Sequence, residues 1–398
     1  MTDRTTERKN GRYVSDETRI EAKRKLIQMS NPDKLFTCTK LDNFLDGIIH
    51  ELPMGGVSWS KLYLCEVKGT RYLVKFCFYD KMAPELYDRT KPSHKNTVEA
   101  EIGILYKLRD NVTRRGYTPC IVEILHSRTC NTISRLVPGK RLCDQYAMGK
   151  RPRNNEVETL QFDLCIAKKL VEDGIVHDKI SYIVLDRCDI TFGDLIEGIK
   201  DSPIDIAIIK SLLFQIVHTL FVITRVYPEF RHGDLHANNV MIKYNDSLNF
   251  NLARPEFRLF RVNGKDYYVP YFGMTAKIID FGYSTLPEEN IVSVATDDKG
   301  LYHVRSNVDI QFFMYAVLER IRRIPILSYV RDMLDELDPS GSYAVGSTAL
   351  LRQVEHKIPS YSKMLDCKMF RDYVKDHPPK HGTIISIHSE PDVRNGKK

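Results

Sequence analysis

Two short strings in this chain carry side chains able to do chemistry: His232-Gly233-Asp234-Leu235-His236-Ala237-Asn238-Asn239 and, further on, Ile278-Ile279-Asp280-Phe281-Gly282. A carboxylate such as Asp234 can take the proton of an attacking hydroxyl. Five residues later Asn239 supplies an amide oxygen, and Asp280 supplies a carboxylate. Hard oxygen donors of this kind are what Mg²⁺ accepts. An Asp-Phe-Gly tripeptide by itself is most often an ordinary surface turn. The combination is harder to reach by accident: an octet with Asp and Asn five apart, an apolar strand, then the tripeptide.

In that combination the residues resemble the catalytic loop and metal-binding turn of the protein-kinase-like superfamily. The resemblance implies ATP as phosphoryl donor, Asp234 as base, Asn239 and Asp280 as Mg²⁺ ligands, and a protein Ser or Thr hydroxyl as acceptor. It reaches upstream. A strand-like run, Lys61 to Val67, turns at Lys68-Gly69 and returns as Arg71 to Phe76. Lys75, at the end of the return, matches the lysine that holds the α- and β-phosphates. Gly55-Gly56-Val57-Ser58-Trp59-Ser60 stands in place of the glycine-rich loop, with only the first glycine clearly matched and Ser60 where the third belongs. Backbone amides there cradle phosphate less freely. Trp59 falls at the loop tip, or else packs in the core. The resemblance puts Asp186 to Cys188 at the hinge, where backbone groups hold the adenine edge, and Leu185 at the gatekeeper position. Gly55, Gly56, Ser58, Ser60, Leu62 and Met241 then surround the nucleotide.

A kinase needs a helix carboxylate beside Lys75. The helix starting near Asn96 offers Glu99 and Glu101, and successive helical residues are about 100° apart, so only one of them can serve. Glu99 follows Asn96 by three and reads as part of a capping arrangement. Glu101 is followed by Leu105 and Leu108 on its own inward face, which assigns the pairing to Glu101. Glu156 and Glu158, on a helix expected from about Asn155 to Glu172, are rivals.

Composition excludes several classes. Of 398 residues, 42% are hydrophobic and 28% charged, enough apolar material for a sizeable core. The nine cysteines, an odd number without a C-x-x-C pair, run singly from Cys38 to Cys367. That pattern suits a reducing compartment and buried small hydrophobes better than disulfides or zinc. A charged start without an apolar core region shows no secretory signal. The most apolar helix, Leu212 to Ile223, is interrupted by Gln215 and His218 and reads as too short to span a bilayer, so a cytoplasmic protein without a membrane anchor is expected. The +7 charge, 59 basic against 52 acidic residues, is spread along the chain, and no nucleic-acid module is visible. Oligomeric state is not legible.

The expected architecture is α+β and bilobal, with a small β-rich N-lobe bearing one regulatory helix and a larger, mainly helical C-lobe. Residues 1–33 read as a polar extension, 34–187 as the N-lobe with an insertion at about 128–178, 188–375 as the C-lobe with a hairpin insertion at about 245–275, and 376–398 as a flexible tail. Ile121 to Leu125 and Tyr182 to Asp186 read as strands. Ser202-Pro203-Ile204-Asp205 is a strong helix start, followed by Ile209, Leu212, Leu213, Ile216, Val217 and Leu220 on one face. A second apolar helix begins near Ser306, and its Asp309 resembles the aspartate that braces a kinase catalytic loop.

The departures from the common pattern are specific. Asn239 and Asp280 are 41 positions apart, and Asn263-Gly264 between apolar runs predicts a hairpin in the excess. This resembles serine/threonine kinases of large cytoplasmic DNA viruses, of poxvirus and iridovirus types, over about Gly55 to Ile326, which implies packaging in virions and action on virion or host proteins. Gly233 replaces the arginine that grips a phosphorylated activation loop. No Ala-Pro-Glu follows Gly282 before Asp309. His236 replaces a lysine, a form similar to aminoglycoside and choline kinases, and Leu73 fills a place usually held by alanine. Three readings therefore stand: an active serine/threonine kinase, a small-molecule hydroxyl kinase, and a binding pseudokinase.

Overall fold

The computed structural model describes residues 38, 48–52, 60–67, 70–80, 94–95, 97–133, 141, 143–144, 156–199, 202–245, 256–293, 308–321, 328–341, 357–379 and 383–391. Within them the protein is a mixed α+β structure, as expected. The first strands are β1 (Ile48–Leu52), β2 (Ser60–Val67), β3 (Thr70–Asp80) and β4 (His94–Lys95), followed by helix α1 (Thr97–Leu108). Next come β5 (Ile124–Cys130), helix α2 (Glu156–Glu172) and β6 (Val176–Asp186). Antiparallel pairing orders the main sheet β1-β2-β3-β6-β5. In β3 the residues from Tyr72 to Tyr79 are buried without a break, because both faces of that strand are covered. Tyr72, Val74, Phe76 and Phe78 of β3 pack in one cluster with Leu160, Leu164 and Ala167 of α2. Leu73, Cys77 and Tyr79 pack on the other side with Ala100, Ile104 and Leu105 of α1. Period-two alternation therefore puts Lys75 on the α1 side.

The predicted strand at 121–125 is displaced. β5 begins at Ile124 and β6 at Val176, so the excursion between them spans 131–175 rather than 128–178, and Ile121 instead makes an isolated parallel bridge to Ile278. The expected helix within the excursion forms as α2, and it roofs the second face of the sheet. The reading of all cysteines as reduced does not hold either: Cys38 is bonded to Cys130 and Cys143 to Cys165. Spacings of 92 and 22 residues carry no framework signature, and only the fold brings these pairs together.

The remainder is built on β7 (Ile190–Thr191), α3 (Phe192–Gly198) and α4 (Pro203–Val226). The α4 start is as read: the Ser202 side chain accepts from the Asp205 amide, with Pro at the first turn. The helix is longer than expected. By length and composition its stretch Ile204–Val226 could cross a membrane, and it is its setting that says otherwise, since 78% of that window is buried inside the protein. Phe214 shows the packing, within 5.0–5.4 Å of the rings of Phe260, Tyr267 and Phe370.

Then follow β8 (Val240–Tyr244), β9 (Glu256–Val262), β10 (Lys265–Tyr271), β11 (Met274–Ile278), β12 (Thr285–Leu286), β13 (Ile291–Ser293), α5 (Val308–Ile321), α6 (Ser328–Leu337), α7 (Tyr361–Leu365) and β14 (Thr383–His388). The predicted hairpin forms. Asn263 and Gly264 both adopt positive φ, 49° and 74°, which the tight turn between β9 and β10 requires. The tail is a correction: residues 383–388 are not free but add to β9 in parallel. Pro378-Pro379 and the charged terminus suggested disorder, yet β9 has an edge that β10 leaves open, and Ile384 and Ile387 fill it while Arg225 binds Glu390.

Candidate active site

Lys75 is almost fully buried on β3 and donates to Glu101 Oε1 at 2.8 Å, Glu101 Oε2 at 2.9 Å and Asp280 Oδ1 at 2.8 Å. Burial alone would push the ammonium towards neutrality, but the carboxylates of Asp280 and Glu101 outweigh it and raise the Lys75 pKa. Burial likewise opposes charge on Asp280, and Lys75 overcomes it, holding that carboxyl below the usual carboxylate range. Burial pushes Glu101 upward against the pull of Lys75. Glu99 points elsewhere: it is exposed and pairs with Lys179 at 2.9 Å. The helical-register argument thus selects the carboxylate that meets Lys75. Asn96, and the side chains of the rivals Glu156 and Glu158, lie outside the described residues.

Strand pairing brings the remaining acidic and amide groups together. Val240 of β8 is paired with Ile278 of β11, and the Ile279 amide donates to the Asn239 carbonyl at 2.9 Å. Asn239 and Asp280 therefore stand beside each other at the ends of neighbouring strands, despite the 41-residue separation. Asp280 adopts φ 60°, a left-handed conformation that Asp tolerates and that marks a constrained position. The side-chain amide of Asn239 donates to the Asp234 carbonyl at 2.8 Å. Buried Asp309 of α5 receives the amides of His232 and Gly233 at 2.7 and 2.9 Å, so the brace read from sequence is in place. His236 Nε2 lies 3.9 Å from Asp234 Oδ2, and its Nδ1 accepts from the Asn238 amide at 3.2 Å.

Gly233 has a steric reason of its own. It has φ 77°, and a Cβ there would collide with the Tyr283 carbonyl oxygen, so the chain after Asp-Phe-Gly passes too close for any larger residue. Arg320 of α5 adds a support that the sequence did not signal: its guanidinium binds both Asn238 and Glu197.

Leu62, Leu73, Leu185, Cys188 and Met241 are buried in one apolar cluster at the junction of the main sheet with β7 and β8. Burial pushes the Cys188 thiol up to about 12, an unreactive state. The Asp186 carboxylate is committed: it binds Lys243 and accepts from the Arg187 amide at 3.0 Å, while the Asp186 amide donates to the Glu123 carbonyl at 2.9 Å. Lys243 was missed because nothing at a spacing of 57 residues announces such a pair. Ser60 opens β2 and is half-buried, whereas Gly55, Gly56 and Ser58 lie outside the described residues.

No family model matches the chain. Two proteins of Acanthamoeba polyphaga mimivirus are similar to it. "Putative serine/threonine-protein kinase R301" is 27% identical over 265 residues, 62% of this chain and 64% of that protein. A second, named in the same way and designated R400, is 26% identical over 124 residues, 30% of this chain and 26% of that protein. The chain thus spans less than two thirds of the length of either relative. The similarity supports a kinase-like relationship with these viral proteins. The likeness to poxvirus and iridovirus types rests on motifs alone.

Proposed function

We propose that the chain is a serine/threonine protein kinase of bilobal fold that uses ATP and Mg²⁺, acting on virion or host proteins in the cytoplasm of a virus-infected cell. The observation that carries this reading is Lys75 donating at once to Glu101 and Asp280, with Asn239 beside Asp280 on the adjoining strand. Lys75, steadied by Glu101, binds the α- and β-phosphates. The backbone of 186–188 takes the adenine edge, with Leu73, Leu185 and Met241 around the base. Asp234 accepts the proton of the acceptor hydroxyl as its oxygen bonds to the γ-phosphorus; the bond to the β–γ bridging oxygen breaks and its electron pair leaves with ADP. Asp280 and Asn239, one ionised carboxylate and one amide oxygen, would hold Mg²⁺, and the bound ion would offset the charge of the phosphates.

His236 favours a second reading, phosphorylation of a small-molecule hydroxyl, because it stands against Asp234 where protein kinases keep a lysine. Purified protein with radiolabelled ATP and Mg²⁺ separates the two. Transfer to casein or basic proteins, lost by at least about 10²-fold in Asp234→Asn and Asp280→Asn, is the expected result. Transfer only to small alcohols would establish the second reading, and wild-type rates within threefold of either variant would leave a binding pseudokinase.

A further inference from the structure

After Asp280-Phe281-Gly282 the chain does not leave the site. The Ser284 hydroxyl donates to the His232 carbonyl at 2.9 Å, and Arg231 and Thr285 exchange both backbone hydrogen bonds, at 3.2 and 2.9 Å. From that anchor β12 turns through Pro287–Glu289 and returns as β13. β13 then pairs in parallel with β4, Val292 with His94 and Ser293 with Lys95, just ahead of α1. One hairpin is therefore bonded to the catalytic loop at one end and to the approach to α1 at the other.

The hairpin also bears on the helix itself. Ile291 lies over Gly103 so closely that a Cβ on Gly103 would stand 3.0 Å from Ile291 Cδ1. Glu289 forms an ion pair with Lys107 at 2.6 Å and receives the Tyr227 hydroxyl at 3.2 Å. The neighbouring Glu288 accepts from the Glu229 amide at 2.7 Å. Gly103 and Lys107 are four apart and share a face, whereas Glu101 is two residues from Gly103, about 200° round the helix. The hairpin thus presses on the side of α1 facing away from Lys75.

We infer that residues 285–293 form an intramolecular backstop that keeps α1 seated with Glu101 on Lys75, so that the phosphate-binding pair assembles without phosphorylation and without a second protein. This rests on the kinase reading for its catalytic consequence, though not for the seating of the helix. Glu289 and Ile291 are positioning residues: neither reaches the reacting atoms, and both act through Glu101. Gly233 fits the same design, since no arginine waits there for an activation-loop phosphate.

The test uses the full chain with Glu289→Lys, the charge-swapped Glu289→Lys/Lys107→Glu, Ile291→Ala and Ile291→Val. Amide hydrogen exchange over residues 97–108 reads the helix seat directly, with α4 as the internal check on folding. Expected is exchange at least about fivefold faster over 97–108 in Glu289→Lys and Ile291→Ala, with α4 unchanged. In the same two variants kcat should fall at least about tenfold with a smaller change in the KM for the protein acceptor. The swapped pair and Ile291→Val should recover to within about threefold. Phosphatase treatment of the wild type, checked by intact mass, should leave its rate unchanged. Unaltered exchange over 97–108 in both variants overturns the inference, as does a swapped pair no better than the single variant. A phosphatase-treated wild type more than about tenfold slower overturns it too. A wild type that transfers no phosphate brings down the kinase reading, and the exchange data still decide whether the hairpin seats the helix.

Discussion

Lys75 binds Glu101 and Asp280 together, while Glu99, two positions earlier, pairs with Lys179 at the surface. Removing each carboxylate should therefore have unequal effects. On the kinase reading, Glu101→Ala is expected to lower kcat/KM at least about 10²-fold, because the ammonium would lose the group that holds it in place for the phosphates. Glu99→Ala should cost no more than about 1 kcal/mol of stability and leave the rate alone, as exposed ion pairs do. Kinetics and urea midpoints on both variants decide this, and a dead Glu99→Ala beside an active Glu101→Ala would reverse the assignment. Gly233 makes a sharper case at the same scale. Gly233→Ala forces a side chain into a left-handed backbone and against the Tyr283 carbonyl, so a loss of about 1–3 kcal/mol is expected. The rate should fall with it, because the same amide is one of two that Asp309 holds. A Gly233→Ala protein with wild-type midpoint and rate would show that the Tyr283 segment moves aside freely.

Among the elements, α4, β9 and β14 meet at an unusual contact: the ring of Phe260 lies 4.6 Å from that of His218 and 4.8 Å from that of His388. His218 is fully buried, and burial, helped by His388, holds its pKa well below the ordinary histidine value. The unfolded chain then binds more protons than the folded one once the pH drops beneath about 6.5. Stability should be level above that value and decline as the pH falls through it. Replacing His218 with Leu should flatten the decline, by up to about 1.4 kcal/mol per pH unit; parallel urea midpoints for both proteins between pH 7.5 and 5 would refute the linkage. Much of this scale was legible beforehand. The β2–β3 turn, the Asn263-Gly264 hairpin and the Ser202-Pro203 cap each carry a local signal. By contrast β12 and β13 have two and three residues, too few to show a period, and β14, though its β-branched residues suit a strand, has a partner edge that nothing local announces. At the candidate site the same divide holds. Asp234, Asn239 and Asp280 announce themselves by type and spacing, whereas Lys243, Arg320 and the Ile291–Gly103 contact are products of tertiary packing.

At the scale of the molecule, a single apolar cluster runs from Leu62 and Leu73 of the sheet through α1 to α4 and α5, and the two cysteine pairs lie towards the sheet's other face. The Cys38–Cys130 link closes a loop of 92 residues, for which chain entropy predicts about 4–5 kcal/mol. Cys130→Ser should lower the urea midpoint in oxidising buffer and match the wild type in dithiothreitol; equal midpoints in both buffers would show that the link contributes nothing. The pairing of β14 with β9 has a different reach. Residues 383–388 zip in parallel onto a strand more than 120 positions earlier, a contact of high sequence separation that local folding cannot supply. While the chain is being made, β9 therefore leaves the ribosome as one strand of the hairpin between Asn239 and Asp280, with its other edge bare. Nascent chains arrested before residue 383 should be cut by protease around 256–271, and completed chains should resist. Translation itself would then set the moment at which the segment bridging the two acidic motifs becomes rigid, and a truncated product would be left with an adhesive strand exposed.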